Sequence, residues 1–378
     1  MSHHTLVTMT CGVSLETWKK TGLLSRELGY YARLSQKTGH LTFLTYNDQL
    51  LDEKKLIQPF LPEGSLISAL ASALVPRRFG GPLASLLSCF ISSRKLKEIG
   101  LIRSNQFYGS WSGLILAKRL KVPFILRCGY VYSHHYEKDH PKDFIRVRLV
   151  KNLEKYVARS ADAIIVTYQN AKDYFVKEYK ISPDKITVLG NPIDIDLFRP
   201  LPEVEKNRDV LSIGRLEDQK NYFALIEACQ KAQLNLTLLG AGSLKENLQA
   251  FAKKVGANVD FKLPIPNEEI PLLIANHRFF VLPSFYEGNP KGLLEALSCG
   301  IPCIASDISE HRLIIRHGEE GLLSSTAAEG IFNCLQKLKA NTELQGHLAR
   351  KGREKILNYY SQEVIAERES AIHSKLLR

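Results

Sequence analysis

The stretch that most constrains the fold runs from Phe279 to Ile304, with the sequence FFVLPSFYEGNPKGLLEALSCGIPCI. Its first four residues are apolar and precede a proline, a pattern typical of a buried parallel strand. The polar, glycine and proline residues of 284–291 predict a loop. Leucines at helical spacing predict a short helix over 292–298, and a second buried strand is predicted over 301–305. The stretch therefore predicts a strand, loop, helix and strand of an open parallel sheet.

Two carboxylates occur in this stretch, Glu287 in the predicted loop and Glu295 on the predicted helix. Open α/β sheets bind anions and ligands beyond the strand ends, where the next helix presents its N–H groups. A helix glutamate can accept hydrogen bonds from two ribose hydroxyls, and a loop glutamate can approach a group attached to the phosphates. The spacing alone does not distinguish this interpretation from one in which both glutamates are simply exposed to solvent.

The residues around these glutamates carry a family resemblance. The segments Pro-Ser-x-x-Glu-Gly, Leu-Leu-Glu-Ala and Cys-Gly-x-Pro-x-Ile resemble the signature of retaining GT-B glycosyltransferases, most closely family four (glycosyl transferases group 1). The resemblance covers most of the second half of the chain well and the first half loosely. It implies an α/β fold of two Rossmann-like domains that face a central cleft, with a C-terminal helix that crosses back to the N-terminal domain. It also implies a nucleotide-sugar donor, with UDP- or GDP-sugar favoured.

Strand and helix patterns alternate along both halves of the chain, which predicts two α/β domains. The Gly-Asn-Pro sequence at 190–192 and the residues after it resemble the interdomain linker of the family. We therefore predict an acceptor-binding domain over 1–190 and a nucleotide-sugar-binding domain over 191–360. The resemblance implies that a helix over 361–378 packs back on the first domain.

The composition suits a globular enzyme, with 44% hydrophobic and 24% charged residues in a chain of 378. Neither a membrane-spanning helix nor a signal peptide is predicted. The seven cysteines form no C-x-x-C pair, which predicts reduced thiols in a cytoplasmic protein. Asp194 and Asp196 form an Asp-x-Asp pair that we interpret as turn residues of the linker. We predict no metal and no cofactor apart from the donor substrate.

The positive charge is concentrated in the first half of the chain. Residues 1–190 contain 28 Lys and Arg against 15 Asp and Glu, whereas residues 191–378 contain 23 against 24, so the whole +12 excess lies in the first half. This asymmetry indicates an anionic partner, either nucleic acid or an anionic membrane surface. A generally basic domain is the remaining interpretation.

Two segments of the first half are both apolar and basic. Residues 56–91 fit either an amphipathic helix on a lipid surface or a pair of core-facing helices. A helix predicted over 144–158 has a basic face that is either solvated or part of a basic acceptor surface. The basic residues of these segments and their flanks are Arg77, Arg78, Arg94, Lys95, Lys97, Arg146, Arg148, Lys151, Lys155 and Arg159.

The resemblance places acceptor contacts in two regions of the first half. One follows a strand predicted over 6–10, where we expect a loop over 11–21 and a helix over 22–37; it lacks the Gly-Gly pair common in the family. The other follows a strand predicted over 122–127, where the family often has a histidine. Here His134 and His135 come several residues later, so we assign no catalytic histidine. The candidate acceptor residues are Gly12, Ser14, Trp18, Gly22, Arg127 and Tyr130.

The resemblance places donor contacts in the second half. Gly214, Arg215 and Lys220 follow a strand predicted over 209–213 and match the family spacing Gly-Arg-Leu-x-x-x-Lys. Two cations at a strand end can neutralise a diphosphate and the charge that develops when the nucleotide departs. The implied catalytic residues are Glu287, Arg215 and Lys220. The implied donor-binding residues are Gly214, Arg215, Lys220, Gly240, Gly242, Leu263, Pro264, Asn289, Pro290, Lys291, Gly292, Leu294 and Glu295.

The sequence thus predicts a retaining, metal-independent hexosyltransferase that acts on a lipid-linked or envelope polysaccharide or lipopolysaccharide precursor. One alternative is a non-transferring, epimerase-like nucleotide-sugar enzyme of the same fold. The other is a basic nucleic-acid-binding protein, although no recognisable module interleaves aromatic with basic residues. We expect a cytoplasmic protein that does not bind nucleic acid, with peripheral binding to the inner face of the membrane left open. The sugar, the linkage and the oligomeric state are not indicated.

Overall fold

The computed structural model describes residues 4–47, 49–68, 94–140 and 142–378, without the side chains of Arg94, Lys95, His135, Lys138 and Asp139. The chain divides into two compact units. Unit 1 contains Met1–Gly190 and Ile365–Arg378, and unit 2 contains Asn191–Val364. Each unit is a parallel sheet with flanking helices, so the predicted α/β class with two Rossmann-like domains is confirmed.

Unit 1 is built on a parallel sheet in which, among the described residues, seven strands are seen in the order β3-β2-β1-β4-β5-β6-β7. Nearly every strand residue is buried, as expected when helices cover both faces. The chain order reverses at β1, which places a topological switch point between β1 and β4. The strands are β1 (Thr5–Thr8), β2 (Leu41–Thr45), β3 (Ser65–Ser68), β4 (Leu101–Ser104), β5 (Phe124–Cys128), β6 (Ala163–Val166) and β7 (Ile186–Val188).

The helices of unit 1 pack two hydrophobic clusters against the two faces of this sheet. The described helices are α1 (Leu15–Lys20), α2 (Leu24–Thr38), α3 (Leu50–Ile57), α4 (Ser110–Leu120), α5 (Tyr132–Asp139), α6 (Phe144–Ser160) and α7 (Gln169–Tyr179).

Two predictions for unit 1 were wrong, and one helix was not predicted. The loop predicted over 11–21 contains α1, because a capping box between Ser14 and Thr17 starts a helix there. Helix α5, which follows a loop over 129–131, was not predicted. The segment 56–91 was predicted as helical, but α3 ends at its start and β3 follows, paired in parallel with β2. The rest of that segment, including Arg77 and Arg78, lies outside the described residues.

Unit 2 has a parallel sheet with the strand order β10-β9-β8-β11-β12-β13. Its strands are β8 (Arg208–Ile213), β9 (Leu236–Leu239), β10 (Val259–Lys262), β11 (His277–Leu282), β12 (Cys303–Ser306) and β13 (Leu322–Ser324). Its helices are α8 (Tyr222–Ala232), α9 (Lys245–Val255), α10 (Ile270–Ala275), α11 (Lys291–Ser298), α12 (Ser309–Arg312), α13 (Ala328–Ala340) and α14 (Thr342–Tyr359). None of the helices in the described ranges is long and apolar enough to cross a membrane.

The last helix, α15 (Gln362–Leu376), belongs to unit 1 from Ile365 onward. Its Glu369 carboxylate forms a two-pronged ion pair with the guanidinium of Arg103 on β4, and both side chains are 1% exposed. The hydroxyl of Tyr30 on α2 also donates to Glu369, at 2.5 Å. Burial alone would raise the pKa of Glu369, but the adjacent Arg103 outweighs it and holds that pKa well below its usual range.

Replacing Glu369 by Gln should lower the free energy of unfolding by about 3–5 kcal/mol, because the substitution leaves the Arg103 charge buried without a counter-charge. Urea unfolding followed by circular dichroism measures this loss. Glu367→Gln on the same helix is the matched control, since Glu367 is 66% exposed and pairs with Lys37 at the surface. The control should change stability by less than about 1 kcal/mol. Equal losses in the two variants would contradict the assigned role of the buried pair.

Candidate functional site

The candidate site of unit 2 lies at the carboxyl end of its sheet. Strand β8 pairs with β9 on one side and β11 on the other, and all three are parallel, so the loops that follow them emerge at one edge. The chain order reverses at β8, which makes this edge a topological switch point. The loops are residues 214–221 after β8, 240–244 after β9 and 283–290 after β11.

The loops after β8 and β9 are packed backbone to backbone. Leu216 N–H donates to the Ala241 carbonyl at 2.9 Å, and Gly214 N–H donates to the Leu239 carbonyl at 3.0 Å. A Cβ atom at Gly240 would lie 1.9 Å from the Gly214 carbonyl oxygen, and one at Gly242 would lie 2.3 Å from the Leu216 oxygen. Glycine is therefore required at both positions to let the two loops approach.

An ion pair joins the loops after β8 and β11. Lys220 Nζ lies 2.5 Å from Glu287 Oε1, and the two side chains are only 12% and 8% exposed. Ser284 Oγ donates to the same carboxylate oxygen at 2.6 Å. A buried ion pair is costly to desolvate, so charges placed this way at a strand end are typical of a binding or catalytic site.

Gln219 fixes the same two loops by two further hydrogen bonds. Its backbone carbonyl accepts from Phe285 N–H at 2.9 Å, and its side-chain amide donates to the Tyr286 carbonyl at 2.8 Å. Arg215, an exposed residue, donates to the Gln219 side-chain oxygen at 3.4 Å. Arg215 is thus held over the loop edge with its guanidinium open to solvent and to an anion.

The residue before the N-cap of α11 is hydrogen-bonded to the linker. The Asn289 side-chain oxygen accepts from Asn191 N–H at 2.6 Å, and the Asn289 carbonyl accepts from the Asn191 amide at 2.7 Å. Pro290 is the N-cap residue, and Lys291 and Gly292 form the first turn, where helix geometry directs N–H groups outward. This turn presents positive partial charge at the loop end.

The remaining predicted donor residues differ in exposure. Glu295 on α11 is 3% exposed, whereas Leu263 and Pro264 are exposed just after β10. The side chain of Leu294 is fully buried in the hydrophobic core of unit 2, so it packs against that core.

A buried histidine, absent from the predicted site, adjoins the ion pair. His311 on α12 is fully buried, and its Nδ1–H donates to the Ser306 carbonyl at 2.8 Å. The Ser306 hydroxyl in turn donates to the carbonyl of Ser284. Burial lowers the pKa of His311, with Ser306 and Glu287 opposing the shift, so the ring is neutral at pH 7. No sequence signal distinguishes this histidine, because its neighbours come from three separated segments.

The candidate acceptor residues of unit 1 lie near its own switch point. The loops after β1 and β4 touch, since Cys11 N–H donates to the Tyr108 carbonyl at 3.0 Å. Gly12 is exposed in the first of these loops with φ of 76°. Arg127, at the end of β5, donates to the Asn105 carbonyl at 3.3 Å, and Tyr130 is half-buried nearby in sequence.

Three of the acceptor candidates lie on or next to α1. Ser14 caps α1, and Gly22 turns the chain after that helix with φ of 69°. Trp18 is buried and stacks on Tyr31 with ring centroids 6.4 Å apart. These residues shape the loop after β1, which also contains Gly12, whereas the buried Arg127 and the half-buried Tyr130 lie at the end of β5.

The linker aspartates are turn residues. The Asp194 carboxylate accepts from the N–H groups of Asp196 and Leu197, both at 3.1 Å. Within the described part of the chain, no three His, Cys, Asp or Glu side chains are grouped as a metal site would require.

Two family models together match residues 51–355 of the chain. The model "Glycosyltransferase Family 4" matches residues 51–197, and "Glycosyl transferases group 1" matches residues 194–355. The chain belongs to the family 4, group 1 glycosyltransferases of the GT-B fold.

Curated relatives of this glycosyltransferase include two enzymes whose names state a lipid-linked acceptor. The Escherichia coli UDP-Gal:alpha-D-GlcNAc-diphosphoundecaprenol alpha-1,3-galactosyltransferase is 26% identical, over 74% of this chain and 76% of that one. The Campylobacter jejuni N-acetylgalactosamine-N,N'-diacetylbacillosaminyl-diphospho-undecaprenol 4-alpha-N-acetylgalactosaminyltransferase is 30% identical, over 49% of this chain. The match spans 53% of the Campylobacter enzyme, about half of its length.

Solved structures share the fold at low sequence identity. Anabaena Alr3699/HepE in complex with UDP and glucose has a TM-score of 0.75 and 16% identity, over 99% of this chain and 100% of that one. The lipopolysaccharide outer core galactosyltransferase WaaB in its apo form has a TM-score of 0.68 and 22% identity, over 98% and 100%. These likenesses establish the fold of the glycosyltransferase.

The Gly240→Ala variant should be destabilised by about 1–3 kcal/mol, because its Cβ must push apart the loops after β8 and β9. Thermal unfolding measures the effect as a lower melting temperature. Gly346→Ala on α14 is the control, since no atom lies within 4 Å of its added Cβ. The control should be neutral or stabilised by about 0.5–1 kcal/mol, as alanine favours a helix. A Gly240 variant as stable as the control would show that the loops separate freely.

Proposed function

We propose that this glycosyltransferase transfers a sugar from a UDP-sugar to a hydroxyl of a lipid-linked saccharide, with retention at the anomeric carbon. The observation that carries the proposal is the buried Lys220–Glu287 pair at the carboxyl end of β8 and β11, with Arg215 beside it. The names of two relatives support the lipid-linked acceptor, and solved neighbours in complex with UDP and UDP-glucose support the donor.

The donor is proposed to bind unit 2 along its sheet edge. Arg215 and Lys220 would neutralise the diphosphate, because both cations follow β8 and face the same loop edge. Glu295 would accept hydrogen bonds from the ribose, and the chain at Leu263 and Pro264 would flank the base. The first turn of α11 would direct its N–H groups at the sugar and phosphate oxygens.

Glu287 has two roles in this proposal. One of its carboxylate oxygens, Oε1, already accepts hydrogen bonds from Lys220 and Ser284. These contacts hold the Lys220 ammonium group in place before the donor arrives. The carboxylate would also accept hydrogen bonds from sugar hydroxyls, with the backbone at Asn289 and Gly292 beside it. A cation that is positioned in advance needs no reorganisation when charge develops in the transition state.

The transfer step needs no protein nucleophile. The acceptor oxygen forms a bond to the anomeric carbon on the face from which UDP departs, while the bond from that carbon to the phosphate oxygen breaks. The acceptor proton passes to the departing phosphate oxygen. Arg215 and Lys220 stabilise the negative charge that grows on this phosphate, which is the main rate contribution expected of them.

The acceptor is proposed to bind unit 1, which carries the excess positive charge of the chain. The residues at strand ends in that unit, Gly12, Arg127 and Tyr130, are the proposed contacts. A phosphate-linked saccharide at a membrane surface is anionic, so a basic domain favours it by electrostatic attraction. The surrounding membrane adds to this attraction, and we propose peripheral binding there.

The donor is tested by thermal stabilisation with UDP, GDP, ADP and CMP, since a ligand that binds only the folded state raises the melting temperature. UDP should give the largest shift. Arg215→Ala should lose that shift and reduce kcat/KM for transfer by about 10²–10³-fold. Arg208→Ala is the matched control, because Arg208 lies at the opposite end of β8 and pairs with Asp260. Similar kinetics for the two variants would reject the diphosphate site.

Lys220 and Glu287 require isosteric variants, because removing one member of a buried pair also lowers stability. Glu287→Gln keeps the size of the side chain and its hydrogen bonds to Lys220 and Ser284, but it removes the counter-charge of Lys220, so the melting temperature should fall. Assayed at a temperature at which circular dichroism shows that it is folded, the variant should lose most transfer activity. Consumption of the nucleotide-sugar without any acceptor would instead favour an epimerase-like reaction.

A further inference from the structure

An apolar pocket in unit 1 lies between α4, α5 and α6. Its volume is about 690 Å³, and of the twelve described residues that line it, Lys118 alone is charged. The walls include Trp111 and Leu114 from α4 and Tyr132 from α5. A pocket of this size and lining suits a flexible apolar ligand rather than a sugar or nucleotide, which would need several polar partners.

The pocket continues into an exposed apolar stripe on α6. Ile145, Leu149, Leu153 and Tyr156 recur every three or four residues and therefore share one helix face. Their exposed fractions are 77%, 62%, 38% and 56%. Leu153 and Tyr156 also line the pocket, so the stripe and the pocket form one continuous apolar surface.

Basic side chains border this surface. Arg148, Lys155 and Arg159 recur at helical spacing on the face of α6 next to the stripe. At the pocket wall, Lys118 Nζ lies 3.0 Å from the Tyr156 hydroxyl and 5.1 Å from the centre of its ring. A helix with an apolar face flanked by lysine and arginine is the pattern of segments that lie in the plane of an anionic membrane.

The charges decide between possible occupants. A second copy of the chain on the same stripe would bring two rows of arginine and lysine together, which is repulsive. A nucleic acid would bind the basic side chains of α6 but would leave the apolar stripe and the pocket without an apolar partner. An anionic bilayer supplies hydrocarbon for the stripe and the pocket and phosphates for the basic rows, so it matches every part of the surface.

We propose that α6 docks on an anionic membrane with its stripe among the acyl chains, and that the pocket takes one acyl chain of an anionic phospholipid whose phosphate meets Lys118. Phospholipid is favoured as the source because it is in large excess wherever the stripe is inserted. The pocket also adjoins the candidate acceptor region, since Tyr108 and Tyr132 line it and the Tyr108 carbonyl accepts from Cys11. Docking would therefore hold that region at the membrane surface.

The two tryptophans of the chain provide a direct test. Trp111 lines the pocket, and Trp18 is buried elsewhere in the core of unit 1. The variant Trp18→Phe keeps only the pocket tryptophan, and Trp111→Phe keeps only the other. Both are mixed with vesicles of equal parts phosphatidylcholine and phosphatidylglycerol whose acyl chains carry bromine, a contact quencher of tryptophan fluorescence. The Trp18→Phe protein should lose most of its fluorescence, and the Trp111→Phe protein should keep it.

The stripe is tested by Leu149→Glu, with Leu51→Glu as the matched control because Leu51 is also an exposed leucine of unit 1, at 80%. Leu149→Glu should abolish co-sedimentation with these vesicles and the quenching of Trp111, and the control should retain both. The UDP-induced melting shift should be unchanged in Leu149→Glu, which separates this proposal from the proposed function.

Three results would overturn the inference. Vesicle binding without quenching of Trp111 would show that no acyl chain enters the pocket. Relief of the quenching by a small fraction of unbrominated polyprenyl phosphate, with vesicle binding unchanged, would assign the pocket to the isoprenoid chain of that lipid. A dimer in solution that Leu149→Glu dissociates would assign the stripe to a second copy of the chain.

Discussion

Parallel pairing of the described strands is the constraint on which both candidate sites depend. In a parallel sheet every strand ends at the same edge, so segments far apart in sequence deliver their side chains to one place. In unit 2 this brings Lys220 and Glu287 into contact, although the loops that carry them follow different strands. In unit 1 the same geometry joins the loops after β1 and β4. The two halves of the chain thus use one architectural rule to build two different surfaces.

The unit 2 site combines loops that are fixed by hydrogen bonds with an ion pair that is largely buried. Gly240 and Gly242 let two loops pack backbone to backbone, and Gln219 ties a third to them. Within this frame, Lys220 and Glu287 remain largely removed from water, a state that their mutual contact only partly offsets. A diphosphate would lie against the exposed Arg215 and beside the Lys220 ammonium group. Specificity and rate would then come from the same preorganised contacts.

The sequence predicted elements correctly where the local pattern of apolar residues is strong. It did not predict short helices or the proximity of residues that lie far apart in the chain. Strand β11 and helix α11 were predicted within two residues, because their apolar runs are bounded by loop residues. Helix α1 was missed, since six residues show too little periodicity and a cap at Ser14 decides its start. Helix α5 was missed because its pocket-facing side consists of only two residues, Tyr132 and Tyr136, which is too short a pattern to predict a helix. The electrostatic influence of Glu287 on His311 could not be predicted, because strand order brings these residues near each other.

The return of α15 to unit 1 has a consequence for how the protein is made. Residues 1–190 of unit 1 are synthesised first, but residues 191–364 must also be synthesised before Glu369 can reach Arg103. At about 5–20 residues per second, translation of that intervening stretch takes roughly 10–35 s. During this interval the nascent first unit carries an unmatched arginine at the centre of its sheet. The last residue of unit 2 is therefore synthesised before residues 365–378, which belong to the unit that starts the chain.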